Sequence, residues 1–326
     1  MDEDKIQALL EKALSENKID NLINKAINNS TGFSTRQSLD NKVTDVTQRK
    51  TPLFDIMLDR ADVVNPIHDW DSKTENGAQA SYAGPIDSTG VDTDPRISRY
   101  NEAVKYYTTT TTTGQFTDAM SRSQLPAQAT NDANAVDALK QDIEADIIQG
   151  SNIAGRFHMR GMDNVIRSFA ASSNVIDNGG TLSDTTNVKI IIKNVHEAGG
   201  AVDTALLGAE DVLAFNEIYE NSVRTSSTIR TMIQGYTLTD FATPFSTAKI
   251  VYDQFVNPKT GSPATSNIYM LQIDTWKLGE PMVNGTKGIG VQDLAKTGPA
   301  STKLFTYYGL LMYNAPQWNG ILEGIE

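Results

Sequence analysis

Between Asn131 and Ile148 the apolar residues Val136, Leu139, Ile143 and Ile147 recur at spacings of three, four and four. That is the period of one helix face. Asn131 and Asp132 offer N-terminal caps and Gly150 a stop, so the pattern predicts a long helix over about 131–150 with one narrow apolar stripe, packed on one side. The stretch FHMRGMDNVIRSF predicts a further helix. In TTNVKIIIKNVHEAGG, Val188, Ile191, Ile192 and Val195 again share a face, closed by Gly199 and Gly200. TALLGA reads as a short buried strand and AEDVLAFNEIYE as another helix, which makes residues 183–220 helix, strand, helix. After them the period changes from helical to alternating: GYTLTDFA, AKIVYDQFV and NIYMLQI read as strands separated by the loop NPKTGSPATSN. In TKLFTYYGLLMY apolar groups occupy both faces, so that strand is expected to be covered on both sides. At the other end of the chain Ile6, Leu9, Leu10, Ala13, Leu14, Ile19, Leu22, Ile23 and Ile27 predict one broken or two short amphipathic helices, followed by a polar connector over 28–51.

One stretch refuses the pattern. KYYTTTTTTGQF carries six consecutive threonines, Thr108 to Thr113, which favour an extended strand but mark neither face as the inside. Together with HDWDSK and the turn-rich GPIDSTGVDTDPR between them, it predicts a long β-arm over 68–116. A two-stranded arm is marginal alone in water and needs a further surface. The register of the threonine strand is therefore expected to come from a neighbouring copy of the chain.

Composition narrows the possible functions. The chain has 326 residues, 39% of them hydrophobic, which is enough for one large or two ordinary domains of α+β class. A net charge of −12 excludes the chain as a whole from being an electrostatic duplex binder, and the segment through Lys50 is close to neutral, not a basic tail. With no cysteine, disulfides, thiolate nucleophiles and thiolate metal sites are all excluded, which suits synthesis in a reducing cytoplasm. MDEDKIQALLEK has neither the basic start nor the apolar run of a signal peptide, and no stretch approaches the length of a membrane helix.

Candidate chemistry is sparse. His68, His158 and His196 each lack a second histidine at ligand spacing, and HEAGG has Gly200 where a zincin needs its second histidine. NGTKGIGVQD places Asp293 where a dinucleotide fingerprint needs its third glycine, so it reads as a turn-rich loop. Asp69 and Asp71 would share one side of a strand, a pattern better explained by a solvated face than by acid/base work. Aromatics beside bases in KYY and TKLFTYY point to core or interface packing sooner than to stacking on nucleic acid. These absences predict a protein without cofactor, metal site or catalysis.

Four stretches, taken in order, resemble a known family: TPLFDIMLDRADVVNPIHDWDSKT before the arm, DALKQDIEADIIQGS in the long helix, LSDTTNVKIIIKNVHEAGGAVDTALLGAEDVLAFNEI after it, and LAKTGPASTKLFTYYGLLMYNAPQWNGILEGI at the end. They are similar to the major capsid proteins of tailed bacteriophages, the Hong Kong 97 fold, over most of the chain from about Pro52. The resemblance implies an α+β, Hong Kong 97-like capsid fold with N-terminal arm, extended β-loop, long spine helix, and peripheral and axial domains. Its expected boundaries are an arm at 1–51, a peripheral domain at 52–67 and 117–182, and an extended loop at 68–116. An axial domain with surrounding strands follows at 183–295, and a C-terminal strand at 296–326 returns to the peripheral domain.

The resemblance further implies a virion shell of pentamers and hexamers around double-stranded DNA, bound without sequence preference and made in the host bacterial cytoplasm without a membrane. The extended loop is expected to clasp neighbouring subunits through Trp70, Tyr82, Arg96, Tyr106, Tyr107, Thr110 and Thr112, buried aromatics dominating such contacts. The first 50 residues are too few for a large fused scaffolding domain, so either a separate scaffolding protein serves or the short arm assists. Portal and cement proteins complete the expected partners. Two rival readings stand beside this one: an encapsulin-like nanocompartment shell enclosing an enzyme, and a soluble α+β hydrolase.

Overall fold

The computed structural model describes residues 50–75, 96–121, 127–150, 158–182, 185–215, 240–242, 245–256, 266–283, 285, 287–296 and 298–325. The expected N-terminal helices, the turn-rich stretch around Tyr82 and the loop at 257–265 lie outside the described residues. After a π-helical turn at Leu53–Met57 come β1 (Asp59–Val63), β2 (Ile67–Glu75), β3 (Arg96–Ala103) and β4 (Lys105–Gly114). Helices α1 (Gln115–Ser121), α2 (Ala127–Gln149) and α3 (Met162–Phe169) follow, then β5 (Val175–Asp177), α4 (Thr186–Glu197), β6 (Thr204–Leu207) and a helical stretch at 209–215. The last part holds β7 (Asp240–Ala242), β8 (Thr247–Tyr252), β9 (Ser266–Leu271), β10 (Trp276–Pro281), β11 (Gly290–Asp293), β12 (Ala300–Tyr313) and β13 (Gly320–Ile325).

Six strands form one sheet in the order β5-β13-β9-β6-β8-β7. Strands covered on both faces read as nearly continuous apolar runs, and TALL, NIYML and GILEGI are such runs. Their alternate residues go to different cores. Ala205, Leu207, Ile268, Met270 and Leu322 pack with Val188, Ile191, Ile192 and Val195 of α4, the stripe its sequence period marks. Leu206, Tyr269, Leu271 and Ile321 turn the other way, into a core shared with α2, α3 and Trp276.

The second sheet runs β1-β10-β12-β11, with β4 also paired to β12. Because β11 and β4 both bond to residues 303–306, they occupy opposite edges of β12. β10 and β11 thus belong with β12 and not with an axial segment ending at 295. β13, in turn, leaves this sheet for the six-stranded one, so the C-terminal stretch serves both. Strand pairing therefore runs across the expected boundary between 295 and 296.

The spine helix α2 begins at Ala127, earlier than the cap residues suggest, and its burial broadens along its length. Ala135 and Leu139 cover one side, whereas Ile143, Glu144, Asp146, Ile147 and Ile148 are enclosed nearly all round. The expected one-sided packing holds for its first half only. Its end is fixed by a close crossing: the Gly161 N–H donates to the Gly150 carbonyl at 2.7 Å, and a Cβ on Gly150 would come within 2.2 Å of the Met159 carbonyl oxygen. A backbone atom cannot swing aside as a side chain tip can. Gly150→Ala is therefore expected to destabilise the chain by about 3 kcal/mol, the upper end of overpacking costs, read as a lower urea midpoint with an unchanged slope.

Between the two sheets stands Asn319, fully buried. Its Oδ1 accepts from the Gln272 N–H at 2.9 Å and from Trp276 Nε1 at 3.0 Å, and its Nδ2 donates to the Ala315 carbonyl at 3.1 Å and to Thr275 Oγ1 at 3.4 Å. Asn174, also buried, donates back to the Asn319 carbonyl at 3.0 Å. No helix among the described residues is long and apolar enough to cross a membrane.

Candidate assembly surface

β2 and β3 form an antiparallel hairpin in which Ile67 opposes Ala103 and Lys73 opposes Ile97. Strand alternation splits it into two unlike faces. One face carries His68, Trp70, Ser72, Ser98, Tyr100 and Glu102, all at least half-buried against the chain's own body. The other carries Ile67, Asp69, Asp71, Lys73, Ile97, Arg99, Asn101 and Ala103, every one of them exposed.

The inward face is pinned at its root. Trp70 Nε1 donates to the Tyr313 carbonyl at 2.7 Å, and the Trp70 ring meets Tyr313 edge-on at 5.2 Å, with Tyr100 and Phe169 completing the aromatic cluster. Such pairs add about 0.5–1.5 kcal/mol each beyond burial. Burial raises the Glu102 carboxyl above the usual range, while Arg160 at 3.3 Å and the Tyr313 hydroxyl at 3.4 Å oppose that shift. On the outer face the Arg99 guanidinium holds the Asp71 carboxyl below the ordinary value through two hydrogen bonds, at 2.8 and 3.1 Å. Asp69 and Asp71 share that face as their spacing requires, and the partner of Asp71 is a cation, not a reacting group.

The threonine run is not part of this hairpin. All ten residues of β4 pair with β12 of the same chain, from Lys105 opposite Gly309 to Gly114 opposite Ala300. The expectation of a register supplied by a neighbouring copy is therefore corrected: Tyr106 opposite Tyr308 and Tyr107 opposite Tyr307 set it at one end. At the other end the Gln115 N–H donates to the Pro299 carbonyl at 3.0 Å. The arm correspondingly ends at Ala103, not at residue 116.

The six threonines have two fates. Thr109, Thr111 and Thr113 face the spine helix, where Thr111 Oγ1 donates to Asp132 at 2.9 Å and Thr113 Oγ1 accepts from Asn131 Nδ2 at 3.1 Å. Thr108, Thr110 and Thr112 lie on the opposite, exposed face with Thr302, Leu304 and Thr306 of β12. Thr112 and Thr302 are within hydrogen-bonding distance there, at 3.2 Å. Along its far edge, β4 pairs with no strand among the described residues.

Of the seven residues expected at the interface, Trp70 and Tyr107 are committed to their own chain. Trp70 is 9% exposed. The Tyr107 hydroxyl donates to Asp146 at 2.6 Å and accepts from the Met159 N–H at 3.1 Å, and burial together with the Asp146 carboxylate raises its pKa well above the usual phenol range. A side chain already enclosed has little area left for a neighbour, so these two are removed from the surface. Tyr106 stays outward and packs on Tyr308 at 4.8 Å; Thr110 and Thr112 are exposed; Arg96 is exposed at the start of β3; Tyr82 lies outside the described residues. Ile67 and Ile97, more than 60% exposed on the outer face, were missed. The alternation in IHDWDSK marks that face once the strand is recognised.

The three histidines have ordinary surroundings. His68 stacks on Trp70, His158 meets Asp146 at 2.8 Å, and His196 stacks on Phe245 at 4.4 Å.

Comparison with known proteins fits this geometry. No curated protein matches the chain in sequence. Among solved structures, the capsid of cyanophage A-1(L) superposes with a TM-score of 0.68 at 12% identity, over 89% of this chain and 97% of that one. The capsid of a native GTA particle gives 0.64 at 9% identity, over 92% and 99%. The SrpI encapsulin of Synechococcus elongatus PCC 7942 gives 0.60 at 10% identity, over 90% and 97%. At such identities the likeness is one of fold, the Hong Kong 97-like fold of the capsids. A family model described as SU10 major capsid protein matches residues 18–326. Spanning both sheets, the spine helix and the hairpin, that match places the chain in the SU10 major capsid protein family, whose role is structural: it forms the capsid shell.

Proposed function

We propose that each copy lays the outer face of its β2-β3 hairpin against a neighbouring copy, and that closed rings of five and six such copies make an icosahedral virion shell around duplex DNA. The observation that carries this is the two-faced hairpin: one side is fixed by Trp70, the other is exposed throughout, with Ile67 and Ile97 on it and an Arg99–Asp71 pair holding it straight. Contacts of about 1,000–2,000 Å² each are modest singly, and closure multiplies them. Arg96 and Tyr82 remain assigned to the arm's contact, while Tyr106, Thr110 and Thr112, exposed on β4, are assigned to a second contact surface along that strand. The charge of −12 lets packaged DNA lie against the shell without adhering, and repulsion between copies is screened beyond about 8 Å at physiological salt. A scaffolding protein, a portal and cement proteins would be its further partners, with synthesis in the bacterial cytoplasm.

A nanocompartment holding protein cargo is the second reading, favoured by the encapsulin likeness. Membership of a structural family speaks against the hydrolase. Particles purified from expressing cells decide between the first two: nuclease-protected duplex DNA inside particles from infected cells supports the virion, whereas a co-purifying enzyme and no DNA supports the compartment. A stable monomer that forms neither rings nor particles would refute both.

A further inference from the structure

Two carboxyls that the shell does not use are buried together where the N-terminal segment joins the folded body. Glu144, on the enclosed half of the spine helix, is fully buried; its Oε1 accepts from the Leu53 N–H at 2.8 Å and its Oε2 from the Phe54 N–H at 2.7 Å. Those amides open the π-helical turn at Leu53–Met57, and Glu144 is the acceptor they would otherwise lack. Facing Glu144 is Asp253, just after β8 and 1% exposed. Its Oδ1 accepts from the Phe255 N–H at 2.8 Å, while its Oδ2 is buried with no hydrogen-bond partner among the described residues. Two ionised carboxylates buried side by side, with no cation beside either among the described residues, repel at a high cost, whereas a single proton between them supplies Asp253 Oδ2 with the missing partner.

We propose that Glu144 and Asp253 share one proton, and that this proton is a latch fastening the root of the N-terminal segment to the spine helix and to the strand end at Asp253. Loss of the proton sets two negative charges against each other and loosens the grip on Leu53 and Phe54. Other charges near the turn are already paired. Asp55 bonds Lys140 at 2.8 Å and accepts from Thr51 Oγ1 at 2.7 Å. Arg60 bonds Glu280 and the Phe54 carbonyl, and Glu280 also accepts from the Tyr307 hydroxyl at 2.9 Å. Further along α2, Asp146 is engaged by Tyr107 and His158, turned away from the turn.

Burial, then Asp253 opposite, pushes Glu144 up from its ordinary 4.5 to about 9, and burial raises Asp253 as well. An acid that holds its proton more tightly folded than unfolded contributes stability that is complete below the ordinary carboxyl range and is lost as pH rises through the folded value. The latch is thus tightest in mild acid and weakens from about pH 4.5 to about pH 9.

The test is amide exchange of the full-length protein, followed by mass spectrometry on peptides covering residues 51–58 and corrected for intrinsic exchange chemistry. Opening of this turn is expected to increase by about tenfold per pH unit across the window. In Asp253→Asn the side-chain amide can donate to Glu144 while its carbonyl keeps the Phe255 N–H, so the opposing charge is gone and the pH slope is expected to be clearly shallower than in wild type, burial alone still raising Glu144. A flat wild-type profile, or an equal slope in Asp253→Asn, overturns the proposal. Infrared spectroscopy gives a readout independent of folding differences: the band of a protonated carboxyl is expected in wild type at neutral pH and is expected to shift or weaken in Asp253→Asn and in Glu144→Gln, and a wild-type band absent or unchanged in both variants would reject the shared proton outright.

Discussion

Replacing residues 74–96 by an Asn-Gly turn, so that Lys73 connects directly to its cross-strand partner Ile97, is expected to give a soluble, folded subunit that forms no closed shells. The cut spares the contacts named above that pin the root of the hairpin. Trp70, Tyr100 and Glu102 stay in place, and with them the bond from Trp70 Nε1 to the Tyr313 carbonyl. It also spares β4, whose ten pairs with β12 would be lost in any deletion reaching the threonine run. Electron microscopy of negatively stained material, beside light scattering, provides the readout. Free subunits or open rings are the expected products, with an unchanged urea midpoint. Shells at wild-type yield would show that the distal hairpin has no part in closure, and a drop in the midpoint would mean that the arm stabilises its own subunit instead.

Asn319→Leu is expected to cost about 3–5 kcal/mol, the largest effect of any polar substitution here. The side chain is fully enclosed, so water cannot replace it. Leucine, similar in size, leaves the Gln272 N–H and the Trp276 indole N–H without acceptors, while the Ala315 carbonyl loses one of two donors and keeps the Trp318 N–H. A buried donor left unmet costs about 1–3 kcal/mol, and two are stranded here. Asn319→Asp retains Oδ1 for both donors and is expected to lose clearly less stability below the carboxyl range, where the protonated acid can still donate to Ala315. Equilibrium unfolding in urea measures both. A loss under about 1 kcal/mol for leucine would mean that the junction of the two sheets relaxes around the substitution.

Residues whose period matched their burial were legible without coordinates. The stripe Val188, Ile191, Ile192 and Val195 is the buried face of α4, and TALL and NIYML are doubly covered strands, whereas TKLFTYYGLLMY is a strand covered on both faces only toward its end, Thr302, Leu304 and Thr306 being partly exposed. β1, β10 and β11 were illegible. They are short, mixed in polarity and given meaning only by their partners: β10 and β11 pair with β12, and β1 with β10 across about 220 residues of chain. Long-range pairing leaves no local period to read.

The buried acids escaped for the opposite reason. Glu144 and Asp146 look like the solvated side of an amphipathic helix, and on α2 alone they would be; the turn at Leu53 and the strand end at Asp253 enclose Glu144, and Tyr107 and His158 engage Asp146. The residue pattern gave the arm and the spine and the family resemblance the shell, but both readings ended the arm at residue 116, where the backbone leaves the hairpin at Ala103.

By itself, then, the sequence determined that this chain is an acidic, cysteine-free α+β protein with a long helix and a two-faced closing strand, because local period and composition report burial wherever one element supplies its own inside. Which threonines turn inward, where the arm stops and which carboxyls lose their water were decided only by the tertiary structure. Six identical side chains and an ordinary glutamate carry no mark of their surroundings until strands and helices distant in the chain close over them.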